Sequence, residues 1–64
     1  MDYTNTQIQS LIDDLIHSER DRAILKRRLC DGIIYDRIAE EFNLSTQRVK
    51  SIIYKAEDQL FRHL

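Results

Sequence analysis

Tyr35-Asp36-Arg37-Ile38-Ala39-Glu40-Glu41-Phe42-Asn43-Leu44-Ser45-Thr46-Gln47-Arg48-Val49 is the stretch on which the fold turns. Ile38, Ala39 and Phe42 recur at the spacing of one face of a short helix, about Tyr35 to Phe42. Asn43 follows, one of the few non-glycine side chains that tolerates positive φ. Leu44 can fold back over the turn, and Ser45 offers the hydroxyl that caps a new helix. A helix ends, three residues turn, and another begins, which is the grammar of a helix-turn-helix.

Downstream of Ser45 the pattern predicts one long helix, about 46–63. Stepping 100° per residue places Val49, Ile52, Ile53, Ala56 and Leu60 on one side. Thr46, Gln47, Lys50, Ser51, Tyr54 and Asp58 lie opposite. The exposed stripe is polar or basic at its start and acidic only later. A helix that reads base edges does so with its N-terminal residues, where directional hydrogen bonds and tolerance of phosphate are needed. Gln47 can pair with adenine, Lys50 can reach guanine acceptors, and Thr46 can meet a thymine methyl.

Upstream, two more helices are expected. Thr4 and Gln7 form the reciprocal capping pair of the first, about 5–17, with Tyr3 and Ile8 placed to staple its entry. Ile8, Leu11, Ile12, Leu15 and Ile16 give it one apolar face, and Gln9, Ser10, Asp13, Asp14 and His17 fall on the other. Ser18 caps the second helix, with Glu19 and Asp21 at its positive end and Lys26, Arg27 and Arg28 nearer its negative end. Gly32 is its left-handed stop. Ile24, Leu25 and Leu29 are its buried arc. Arg28 projects into that arc, where an internal ion pair with an acid of a neighbouring helix is expected, whereas Lys26 and Arg27 read as surface charge.

Composition bounds the rest. Sixty-four residues make one thin domain with little surplus stability, so regular helices, with or without the help of a second subunit, are left to hold it together. The single cysteine, Cys30, excludes an internal disulfide and reads as a packed side chain. His17 and His63 sit at opposite ends, read as solvent-facing or capping residues, and share no metal-ligand spacing with Cys30, so no metal or cofactor is expected. No apolar run approaches the ~20 residues of a membrane span, and a reduced, cytoplasmic location is the expectation. The formal net charge is -1. Residues 1–18 carry Asp2, Asp13 and Asp14 without a Lys or Arg, whereas residues 19–64 carry ten Lys and Arg against eight acids, an excess of two. Affinity for nucleic acid must then come from placement of charge rather than its total.

From about Ile8 onward the chain resembles region four of the sigma factor family. The resemblance is carried by Glu19-Arg20-Asp21-Arg22-Ala23-Ile24-Leu25, Asp31-Gly32, Tyr35 to Phe42, Leu44-Ser45, Arg48-Val49, Ile52, Lys55-Ala56 and Leu60, in one register without a gap. LuxR-type regulators share part of the pattern, but Lys55-Ala56 and Leu60 favour the sigma-like match. The resemblance implies an all-α, four-helix domain with a helix-turn-helix at about 35–54 and no winged-helix hairpin. Residues 19–64 would form the core and 1–18 an acidic amphipathic helix joined to it. It implies bacterial or phage transcription control by double-stranded DNA binding, with the fourth helix in the major groove. Thr46, Gln47, Lys50 and Ser51 become the base-reading set. Arg20, Tyr35, Arg37, Arg48 and Lys55 become backbone contacts.

Departures from the family pattern limit what carries over. Primary sigma factors usually place Arg-Glu where this chain has Thr46-Gln47, and Gln at Ser51, so a different target from the usual upstream promoter hexamer is expected. Ile34 stands where a Ser or Thr usually caps the third helix, and Asn43 where Gly is common. Nothing corresponds to the region that grips the polymerase clamp, which leaves a free-standing regulator or an excised domain as the expectation. Phe61 lies away from the buried edge of its helix and, with Leu64, is a candidate surface for a homodimer or another partner. The alternative function is a protein-interaction module docking on the RNA polymerase β-subunit flap. An enzyme is not expected, because no nucleophile–base pair, phosphate loop or small-molecule site appears, and Asp13-Asp14 diverge by about 100° on a helix.

Overall fold

The computed structural model describes residues 4–63. They form α1 (Asn5–Leu15), α2 (Glu19–Leu29), α3 (Tyr35–Phe42) and α4 (Thr46–Phe61), with no strand among the described residues. Tyr3 of the expected staple and Leu64 of the expected partner surface lie outside the described residues.

Three of the four helix starts are capped by a side chain. Thr4 Oγ1 accepts from the Gln7 amide at 3.2 Å while Gln7 Oε1 accepts from the Thr4 amide at 2.8 Å, so two orphan donors of α1 are satisfied reciprocally. Ser18 caps α2 through the Asp21 amide, and Ser45 caps α4 through the Arg48 amide at 3.1 Å. Ile34 gives α3 no side-chain cap. Both left-handed turns fall where expected, with φ 70° at Gly32 and φ 57° at Asn43.

α4 is the central post and packs against all three other helices, whereas α1 and α3 do not adjoin. Its buried edge is Val49, Ile52, Ile53, Ala56 and Leu60, as the periodicity requires. Ile12 and Ile16, Ile24 and Leu25, and Ile38 and Ala39 close on that edge. Burying a Val, Leu or Ile side chain contributes roughly 1.5–3 kcal/mol, and among the described residues eleven hydrophobic side chains, two of them alanines, make up the core.

Three expectations are corrected. α1 ends at Leu15 rather than 17, because Ile16 turns to an extended conformation (φ -105°, ψ 118°) and stays in the core. α4 ends at Phe61 rather than 63. Arg28 makes no ion pair among the described residues. Its guanidinium donates to the Ile33 carbonyl at 3.1 Å and stacks 4.4 Å from the centre of the Tyr35 ring. The turn between α2 and α3 leaves that carbonyl to be satisfied, and a planar cation can serve it and an aromatic face at once.

The short link between α1 and α2 is held from the side. Arg22 donates through Nε to the Ile16 carbonyl and through Nη2 to the Asp13 carbonyl at 3.1 Å, and Gln59 donates to the Leu15 carbonyl at 3.0 Å. These bonds satisfy the open end of α1, which has no glycine to terminate it. Lys26 pairs with Asp13 at 2.8 Å across the same two helices, so this acid of the first helix is neutralised locally. Cys30 carries a free, half-buried thiol, and His17 and His63 are exposed.

Candidate nucleic-acid interface

The first ten residues of α4, Thr46 to Lys55, contain three cations and no acid. Gln47, Lys50 and Ser51 are exposed on that segment, and Thr46 is half-buried. The turn before it fixes how these side chains are presented. Asn43 takes the left-handed conformation, the Leu44 amide returns to the Ala39 carbonyl at 2.9 Å, and the core edge at Val49 and Ile53 sets the roll of the helix.

Four side chains belong to this face in ways that spacing alone does not reveal. Thr46 donates its hydroxyl to Asp36 Oδ1 at 2.8 Å. Tyr54, 57% exposed, shares the stripe with Gln47 and Ser51. Tyr35 is half-buried, with Arg28 stacked on it, Lys50 Nζ 5.7 Å from its ring centre, and Tyr54 edge-on at 6.2 Å and 83°. Tyr35 is thus a platform beneath Lys50 and Tyr54 as well as a candidate backbone contact. A hydrogen bond with Tyr35, and the repulsion of a neighbouring phenolate there, push the Tyr54 phenol above its ordinary value.

The ten Lys and Arg residues divide sharply. Arg20 pairs with Asp21, Lys26 with Asp13, Arg27 with Asp31 and Glu41, and Arg62 with Asp58. Arg22 and Arg28 are held by carbonyls. The Arg27–Glu41 contact, 2.6 Å at its shorter arm, raises the guanidinium pKa and holds the Glu41 carboxyl below the usual carboxylate range. Among the described residues only Arg37, Arg48, Lys50 and Lys55 have neither an acid nor a carbonyl partner. All four are exposed and lie in the helix-turn-helix.

Their placement around α4 is two-sided. Lys50 leans to the α3 side, over Tyr35. Arg48 and Lys55 face the other way, into a groove of about 310 Å³ shared with Ser51, His17, Ser18, Asp21 and Gln59. Around the helix axis these flanks stand roughly 140–160° apart, with Gln47, Ser51 and Tyr54 between them. A major groove has a phosphate strand on each side and base edges in the middle, and this stripe has the same order of chemistry. Arg20 is exposed at the head of α2, with its Nε 3.2 Å from Asp21.

The family model for sigma-70, region 4 matches residues 18–62. The chain belongs to that family. Neither the curated proteins nor the solved structures yield a match. A region 4 domain is a helix-turn-helix that binds DNA in transcription, and α3 and α4 are the two helices of that motif here. The match opens at Ser18, the cap of α2, so α1 lies before it. No helix of the described residues is long and apolar enough to cross a membrane.

Of the outer apolar residues, Ile34 is 64% exposed and Phe61 57% exposed. Phe61 is turned outward rather than packed under α1.

Proposed function

We propose that this region 4 domain binds double-stranded DNA sequence-specifically in the control of transcription, with the first half of α4 in the major groove. Gln47, Lys50 and Ser51 meet base edges together with Thr46. Arg48 and Lys55 meet one phosphate strand, with Arg20 nearby, and Arg37 with Tyr35 meets the other. The observation that carries the reading is the division of cations. Among the described residues every basic side chain outside the helix-turn-helix is engaged within the protein, and the four without a partner there flank one polar stripe. A net charge of -1 is no obstacle, because phosphate meets the local array and not the total.

Selection from a random duplex library, followed by sequencing of the bound fraction, tests this. An enriched motif is expected, and its loss in Gln47→Ala/Lys50→Ala with helicity unchanged would locate the base-reading face. Unchanged preference in that variant would reject the assignment.

A second reading, docking on RNA polymerase or another transcription protein, is favoured by the exposed side chains of Ile34 and Phe61. Its signature is retention on polymerase at high salt with no duplex shift at low salt. Phe61 is also an exposed residue on which a homodimer would form, and a palindromic selected motif would reveal one.

A further inference from the structure

Thr46 heads α4 with two groups of different use. A hydroxyl can pair with several base edges, whereas a methyl has one natural counterpart in the major groove, the 5-methyl of thymine. The Thr46 hydroxyl is already engaged: its only proton goes to Asp36 Oδ1 at 2.8 Å, and the side chain is half-buried there. Asp36 reaches it from the first turn of α3, ten residues earlier and across the turn. Asp36 makes no ion pair among the described residues. An acid in the first turn of α3 favours that helix through its dipole, but this needs no bond to Thr46. The carboxylate also lines, with Glu40, Asn43 and Ser45, a shallow pocket at the turn, so a charge that repels phosphate stands at the entrance of α4.

We infer that Asp36 is a positioning residue that sets the base preference of Thr46, holding the hydroxyl so that the methyl is offered to the groove and Thr46 reads thymine. The inference rests on α4 being the base-reading helix. Its second consequence is a trade between selectivity and affinity. Asp36 sharpens the choice of base while its charge weakens the grip on any duplex.

The test uses the full chain and the duplex enriched from a random library, with each thymine replaced in turn by deoxyuridine, which removes only the 5-methyl. At one thymine per binding site the wild-type chain should lose about fourfold in affinity, the worth of one buried methyl. Thr46→Ser keeps the bond to Asp36 but lacks the methyl, and its thymine-to-uracil ratio should fall to about one. Asp36→Ala frees the hydroxyl. Its ratio should fall below about twofold, other bases should enter at that position in a repeated selection, and binding to unrelated duplex should strengthen. Asp36→Asn keeps an acceptor without the charge, so it should retain the ratio while also tightening on unrelated duplex. Circular dichroism shows whether each variant is folded, and Thr46→Ser, the mildest change, carries the test if Asp36→Ala is not. A wild-type ratio of one at every thymine, an unchanged ratio in Thr46→Ser, or an unchanged ratio in folded Asp36→Ala overturns the inference while the enriched motif stands. Absence of any enriched motif is a different result, which removes the base-reading assignment and this inference with it.

Discussion

Lys55→Ala removes one proposed phosphate contact without touching the core or the proposed base-reading residues. Lys55 is exposed, has no acid within ion-pairing distance among the described residues, and lies beside Arg48 in the groove facing the α1–α2 link. If Arg37, Arg48 and Lys55 each neutralise one phosphate while Lys50 reads bases, the slope of log K against log salt should be about -2.7, since each contact contributes about -0.9. Affinity would then fall about 40-fold between 50 and 200 mM salt, and only about 12-fold in Lys55→Ala, whose slope would be about -1.8. Fluorescence anisotropy of a labelled duplex, titrated at four or five salt concentrations, measures both slopes. Lys26→Ala is the control. Its ammonium is held by Asp13 at 2.8 Å, so removing it should leave the slope unchanged although the formal charge changes equally. Equal slopes for Lys55→Ala and wild type, or an equal reduction in Lys26→Ala, would refute the division of cations into structural and DNA-facing sets.

Two further outcomes concern stability. Ile53→Ala empties a fully buried position at the centre of α4 and should cost about 2–5 kcal/mol, read as a fall in the urea midpoint; a change below about 0.5 kcal/mol would mean that α4 is not the post on which the other helices close. Acid should unfold the domain partly through Asp13 and Glu41, whose carboxyls are held below their ordinary values chiefly by hydrogen bonds from Lys26 and Arg27. A depressed folded pKa stabilises the fold above the unfolded value and ceases to do so as pH falls through the folded one. The loss should therefore appear below about pH 4, and Asp13→Asn/Glu41→Gln should flatten that limb of a thermal-stability profile while an unaltered limb would assign acid unfolding to other groups.

What could be read from the chain follows the range of the interactions. The caps at Thr4, Ser18 and Ser45 join residues three apart, the left-handed turns need only Asn43 and Gly32, and the Val49–Leu60 edge is a repeat within one helix, so all are written locally. The family register then placed the helix-turn-helix itself. Bonds between elements leave no such trace. Gln59 reaches a carbonyl 44 residues away, Arg22 closes the end of the preceding helix, and Arg28 prefers a carbonyl and a ring to an acid. The binding stripe shows the same division. Gln47, Lys50 and Ser51 were legible as an exposed polar face, but the hold of Asp36 on Thr46 and the platform of Tyr35 under Lys50 depend on how α3 lies against α4. Tyr54 is placed on the exposed stripe by its spacing alone, but its edge-on contact with Tyr35 depends on where the neighbouring helix sets that ring.

The helix outside the family match bears on the binding face through geometry rather than contact. Residues 18–62 carry the family pattern, yet Ile12 and Ile16 of the preceding segment are buried in the common core. The polar clamps from Arg22, Lys26 and Gln59 tie the end of α1 to both α2 and α4. One of those clamps starts from α4 itself, a single turn beyond Lys55, and the link it fixes carries His17 and Ser18 along the wall of the groove that holds Arg48, Ser51 and Lys55. The angle between α2 and α4 determines how far Arg20 stands from Arg48 and Lys55, and therefore whether one phosphate strand can meet all three. Loosening α1 would let that angle vary, and a contact that must be re-ordered on binding costs affinity even when no DNA-facing residue has changed. If α4 reads DNA as proposed, the first helix would act as its brace, although it carries none of the cations assigned to DNA.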